Sequence, residues 1–211
     1  MNYYIDFDYT LYNTGNFVND MIETLALYIT KTKKSINKIE AVKQIDQKFN
    51  KEKIYNIFSV CEYLGDLYKV NDDELKSLAR KVLRSGEKYI YEDVLEFLEY
   101  LKPNNILNIL TAASNADTME YQSLKVSGSK ITKYFDNIII TTQPKNELNL
   151  DYSNGIFIDD NPDIINVLST TNAKKIIHIK RPGGKYSNEK IDNLDIEECE
   201  SLLEIMNNKM Y

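Results

Sequence analysis

Five short runs of the chain, 3–7, 106–110, 138–142, 155–158 and 175–179, are mostly apolar at successive positions and not at alternate ones. A strand buried on one face alternates, whereas one that is apolar throughout must be covered on both faces, as in a parallel sheet packed between helices. Helix-length segments, 116–125 and 162–169, separate the later runs, and Pro162 suits a first helical turn because its φ is fixed and its missing N–H is not needed there. Strand and helix therefore alternate. The expected fold class is α/β, a doubly wound parallel sheet.

The interval between the first and second runs breaks this rhythm. It holds almost 100 residues, and its periodicity is helical. Phe17, Met21, Leu25 and Tyr28 recur at helical spacing, as do Ile39, Val42, Ile45 and Phe49. Leu75, Leu78 and Val82 mark a further helix, for which Asp72 and Asp73 supply cap-like chemistry. Residues 91–101 form one more, ended by Pro103. So long a connection inside a compact domain reads as a functional insertion. The expected organisation is a core of residues 1–14 and 90–211 with a helical cap at 15–89. Residues 196–206 are expected to close the chain as an amphipathic helix.

Composition removes several classes of function. The 211 residues suffice for a self-supporting core. Lys and Arg number 26 against 32 Asp and Glu, a net charge of −6, and the basic residues are scattered, so no nucleic-acid partner is expected. Apolar runs are far shorter than the ~20 residues that cross a bilayer, and no membrane partner is expected. Cys61 and Cys199 lack metal-ligand spacing and fit a reducing compartment. The first residues show no leader pattern, and a cytoplasmic location is expected.

The chemistry-bearing residues gather at strand ends. The first run leads into Asp6-Phe7-Asp8-Tyr9-Thr10, where alternation sends Asp6 and Asp8 to one side as the chain leaves the sheet. The second ends in Thr111, a hydroxyl able to donate to an anion. Lys145 follows the third behind Pro144, and the fourth ends in Asp159-Asp160, with Asp163 one turn later. Each feature alone is ordinary: a solvated strand exit, a helix cap, a surface lysine. Together they place four acids, a hydroxyl and an ammonium at the edge where open α/β sheets bind ligands. Carboxylates so crowded repel one another unless a cation offsets them. Oxygen ligands without histidine or cysteine point to Mg²⁺, which binds few carboxylates together with a substrate phosphate.

On these motifs the sequence resembles the haloacid dehalogenase-like (HAD) hydrolase superfamily, whose core is Rossmann-like. Asp6-Phe7-Asp8-Tyr9-Thr10 matches its first motif, Thr111 the second, Lys145 the third and Ile158-Asp159-Asp160 the fourth, while the helical insertion resembles its C1-type cap. Asp8 at the second acidic position resembles the phosphoryl-transfer branch and not the dehalogenases. The resemblance implies a phosphatase acting on a small phosphorylated substrate through an aspartyl-phosphate on Asp6. Asp8 would be the general acid and base, and Thr111 and Lys145 would hold the phosphoryl oxygens. The Asp6 side chain, the Asp8 carbonyl and Asp159 would hold Mg²⁺, with Asp160 or Asp163 acting through water. Two departures stand out: Tyr9 occupies a common glycine position, and the interval from Lys145 to Asp159 is too short for the usual helix.

Other readings are a phosphomutase of the same fold, a phosphoacceptor signalling domain without turnover, and a silent binding protein. His178 reads as a structural strand residue with no obvious partner, 31–34 as a solvated turn, and Arg181-Pro182-Gly183-Gly184-Lys185 as a flexible turn. Specificity is expected to reside mainly in residues 15–89. The oligomeric state is left open.

Overall fold

A computed structural model describes residues 1–51, 56–191 and 196–207. Among them the chain forms a six-stranded sheet, β1 (Asn2–Ile5), β2 (Ile106–Ala112), β3 (Asn137–Thr141), β4 (Gly155–Asp159), β5 (Lys175–Ile179) and β6 (Glu197–Cys199). Every pairing is parallel and the spatial order is β3-β2-β1-β4-β5-β6. The doubly wound α/β class is thus observed. β4 is buried at every residue, whereas the edge strand β3 is exposed at Asn137 and Ile138. Tyr4, Leu110, Phe157 and Leu168 form one core cluster. Phe157 stacks between Tyr4 and Tyr152, at centroid distances of 4.8 and 5.4 Å.

The helices are α1 (Thr14–Thr32), α2 (Lys38–Asp46), α3 (Ile57–Tyr68), α4 (Asp72–Arg84), α5 (Val94–Leu101), α6 (Ala116–Gly128), α7 (Pro162–Leu168) and α8 (Leu202–Asn207). Asn37, Asn56, Asn71, Asn115 and Asn161 cap α2, α3, α4, α6 and α7, each side chain accepting from an otherwise orphaned backbone N–H of the first turn. The α4 cap is therefore Asn71, while Asp72 and Asp73 lie in the first turn, where acids favour the positive end of the helix dipole. The α5 helix begins three residues later than residue 91, and the Asp93 carboxylate accepts from Arg181 and from the Leu202 amide instead of capping it.

Several stripes differ from the expected ones. The buried face of α4 is Leu75, Ala79 and Leu83, and in α2 Ala41 and Ile45 are buried while Ile39 is 82 % exposed. Steps of three and of four turn in opposite senses about the helix axis, so a stripe begun at Leu75 leads either to Leu78 and Val82 or to Ala79 and Leu83, and packing buries the second. Residues 196–206 split into β6 and α8. A three-residue edge strand with two glutamates carries no apolar run, though Lys175–Glu197 ties it to β5.

The chain divides into two compact units. One comprises 1–15, 89–113 and 130–211 and contains the sheet; the other comprises 16–88 and 114–129 and is helical. The structure thus groups α6 with the helices. Its Gly128 lies so close to α4 that a Cβ there would meet the Leu83 carbonyl oxygen at 1.9 Å. Residues 52–55, within the expected cap, lie outside the described residues. Among the described residues no helix is long and apolar enough to cross a membrane.

Phe157 is 1 % exposed and fills the space between two rings, so Phe157→Ala should cost ~3–5 kcal/mol of stability, measured by urea unfolding. A cost below ~1 kcal/mol would show that the stack does not hold the sheet.

Candidate active site

Asp6 directly follows β1 and extends its ladder, its amide donating to the Ile158 carbonyl at 2.9 Å. That register sets the Asp6 side chain beside the end of β4, although 153 positions separate Asp6 from Asp159 in the sequence. The carboxylates of Asp6, Asp159 and Asp160 each offer an oxygen within 4.8 Å of the others, and all three residues are buried. Lys145 lies in a short helical turn after β3 and is 3 % exposed. Its ammonium donates to Asp6 Oδ1 and Asp159 Oδ2, both at 2.7 Å. Asp159 Oδ1 accepts from the Asn161 amide at 2.9 Å.

A cavity of about 200 Å³ opens on this cluster, lined wholly by the sheet-bearing unit. Asp6, Asp8, Thr111, Lys145, Asp159 and Asp160 all line it. The expected site residues therefore share one pocket. Thr111, 1 % exposed, stands near the end of β2. Asp8 lines the pocket, but its carboxylate is not among the three that converge, and it accepts from the Thr14 hydroxyl. Asp163 is exposed in the first turn of α7 and outside the cluster, which leaves Asp160 as the neighbour of Asp159 there.

The electrostatics follow from burial. Desolvation, with the charges of Asp159 and Asp8 added, raises the Asp6 carboxyl to about 7 despite the opposing Lys145 ammonium. Desolvation, followed by repulsion from Asp6, Asp159 and Asp8, lifts Asp160 to about 9. The Lys145 ammonium is held well above its ordinary range by its two carboxylates, whose attraction outweighs desolvation. Asp160 Oδ2 is buried without a hydrogen-bond partner. A buried carboxyl oxygen without a partner, beside two further carboxyls that repel its charged form, fits a hard divalent cation, and an all-oxygen donor set suits Mg²⁺.

Two side chains from the end of β5 brace the acidic loops. His178, opposite Asp159 in the sheet register, is fully buried; its Nε2 lies 3.0 Å from the Asp160 carbonyl and its Nδ1 3.2 Å from Glu198. It thus has partners that the sequence did not reveal. Arg181 donates twice to the Thr10 carbonyl, at 3.0 and 2.8 Å, and to Asp93 at 2.6 Å. Tyr9, Lys185 and Tyr186 also line the pocket. The glycine-rich turn, expected as a flexible turn, follows β5 and brings Lys185 to the pocket.

The strand order, with acids closing β1 and β4, defines the class: the chain has the HAD-like fold. It matches a HAD phosphatase from Thermococcus onnurineus at 18% identity and TM-score 0.64, over 98% of this chain and 96% of that one. YfnB from Bacillus subtilis, bound to magnesium, matches at 15% and 0.61 over 100% and 98%. L-2-haloacid dehalogenase from Xanthobacter autotrophicus, with chloropropionic acid covalently bound, matches at 13% and 0.59 over 100% and 99%. At such identities the likeness is one of fold. No family model and no curated protein matches the chain.

The raised carboxyls give stability a definite pH dependence. In EDTA the folded chain holds protons on Asp6 and Asp160 that an unfolded chain loses near pH 4, so Tm should fall as pH rises from about 4 through 7 towards 9. Added Mg²⁺ should raise Tm, and by more at pH 8 than at pH 5. Thermal melts check both; a Mg²⁺ effect larger at pH 5 would contradict the assignment.

Proposed function

We propose that the chain is a Mg²⁺-dependent phosphatase that hydrolyses a small phosphomonoester through an aspartyl-phosphate on Asp6. The observation that carries this reading is the Lys145 ammonium bridging Asp6 and Asp159 at 2.7 Å in a pocket that also presents Asp8 and Thr111. An Asp6 oxygen attacks phosphorus in line as the bond to the leaving oxygen breaks, and Asp8 gives that oxygen its proton. In the second displacement Asp8 takes a proton from water as the water oxygen attacks phosphorus. The bond to Asp6 then breaks, freeing inorganic phosphate and restoring both carboxyls.

Asp6 must be ionised to attack, and its burial opposes this; Lys145 favours the charged form. Thr111 donates to one phosphoryl oxygen. Asp6, Asp159, Asp160 and the Asp8 carbonyl would hold Mg²⁺, which when bound supplies positive charge to offset that of the transferring group. The helical unit serves as the cap in this reading. The fold also houses a dehalogenase and a phosphatase among its solved members. Asp8, with a proton to deliver to a leaving alkoxide, favours phosphoryl transfer. A phosphomutase would use the same two carboxyls but return the phosphoryl group to substrate.

A phosphomonoester panel assayed with Mg²⁺ or EDTA tests the proposal. Wild type should release inorganic phosphate only with the metal, and Asp6→Asn should lose at least ~10³-fold in kcat, as expected when a nucleophile is removed. Turnover without metal that survives this substitution rejects the mechanism; rearranged ester without free phosphate makes the enzyme a mutase. Asp8→Asn should lose ~10²–10⁴-fold in kcat with little change in Mg²⁺ affinity, measured by calorimetry. Abolished metal binding would contradict that division of labour.

A further inference from the structure

The pocket's two lysines stand at different depths. Lys145 is 3 % exposed on the floor, committed to Asp6 and Asp159, whereas Lys185 is exposed and so lines the mouth. An in-line attack by Asp6 drives the leaving group away from the floor. A phosphoryl group at the floor therefore directs the alcohol of its ester towards the mouth.

The loop that carries Lys185 is built to hold it there. Arg181 roots the loop through two bonds to the Thr10 carbonyl and one to Asp93, with its guanidinium 4.3 Å from the Tyr91 ring centre. The chain then turns back on itself, Gly184 donating to the Arg181 carbonyl at 2.8 Å. Gly183 takes φ +73°, and a Cβ on Gly184 would meet that carbonyl oxygen at 2.9 Å. The loop continues through hydrogen bonds from Ser187 to Gly184 and from Glu189 to Tyr186. Lys185 Nζ lies 4.7 Å from the centre of the Tyr186 ring. Tyr9, on the turn that links Asp8 to Thr10, and Tyr186 complete this wall of the pocket. The loop that carries Lys185 is thus rooted on the turn that follows Asp6 and Asp8, within the sheet-bearing unit.

We propose that Lys185, flanked by Tyr9 and Tyr186, binds a second anionic group on the leaving alcohol, so that the sheet-bearing unit itself selects phosphomonoesters whose alcohol carries a carboxylate or another phosphate. This rests on the phosphomonoester reading of the site. It also places part of the specificity outside residues 15–89. Lys185 acts on the leaving group and takes no part in bond making.

Binding to Asp6→Asn with Mg²⁺, measured by calorimetry, separates recognition from turnover. The probes are glycerol 2-phosphate, whose alcohol is neutral, 2-phospholactate, which adds a carboxylate, and propane-1,3-diyl bisphosphate, which adds a phosphate. On adding Lys185→Ala, the Kd ratio of the doubly anionic esters to glycerol 2-phosphate should rise roughly tenfold, the scale of one charge-assisted contact. Lys185→Arg should restore it, and the wild-type preference should weaken with added salt. A shift confined to 2-phospholactate names the carboxylate as the group read; one confined to the bisphosphate names the phosphate. An unchanged ratio overturns the proposal, as does failure of all three esters to bind. If the ratio shifts but wild type releases no phosphate from any ester, the subsite stands and the phosphatase reading falls.

Discussion

One buried ammonium decides what this site can be. Three carboxyls each bring an oxygen within 4.8 Å of the others, and Lys145 bonds to two of them. Taking such charges out of water costs several kcal/mol each, and only close, well-formed contacts return it. One positive charge cannot balance three negative ones. The remainder appears as raised carboxyls on Asp6 and Asp160 and as an Asp160 oxygen without a partner. The cluster is thus suited to receive further positive charge. The hydrophobic core fixes where the ammonium sits: the Tyr152 hydroxyl donates to the Lys145 carbonyl at 2.5 Å, and its ring stacks on Phe157, itself stacked on Tyr4 of β1.

The sheet order makes that arrangement possible. β1 and β4 are adjacent and central, and the direction of winding reverses between them, the position where open sheets leave a crevice for ligands. Parallel strands end at one edge, so segments distant in sequence deliver their side chains to one place. β5 contributes differently. Its His178 meets the Asp160 carbonyl, and Arg181 just beyond it holds the Thr10 carbonyl. Backbone atoms of both acidic loops are therefore fixed from the same neighbouring strand, and the carboxyls inherit that rigidity.

Much of this was legible because burial on both faces leaves contiguous apolar runs, and β5 matches its run at both ends. β6 was not, since two glutamates and a cysteine at an edge give no hydrophobic signal. The helical stripes were displaced where helical periodicity allows two faces, as in α4, whose packing buries Leu75, Ala79 and Leu83 and not Leu78 and Val82. In the site, Asp6, Thr111, Lys145, Asp159 and Asp160 share a pocket because the strand-end rule applies equally to each. Lys185 obeys the same rule, but its two glycines read as a flexible turn and no side chain in the sequence marked it for the pocket. His178 had no visible partner because Glu198 reaches it only through the pairing of β5 with β6.

Tyr9 shows how the fold accommodates a local cost near the acids. Its φ of 55° is a conformation that glycine adopts freely and that costs another residue ~1–3 kcal/mol. The surrounding turn holds it there. Tyr9 donates to the Tyr12 carbonyl at 2.8 Å, Leu11 and Tyr12 donate to the Phe7 carbonyl, and the Phe7 and Tyr12 rings stack at 4.8 Å. A glycine would relieve the strain and leave those backbone bonds possible, but it would remove a ring from the pocket wall. Burial and the nearby Asp8 charge raise the Tyr9 phenol above its ordinary range. At this position the strained residue contributes to the pocket, while the hydrogen-bonded turn preserves the directions of Asp6 and Asp8.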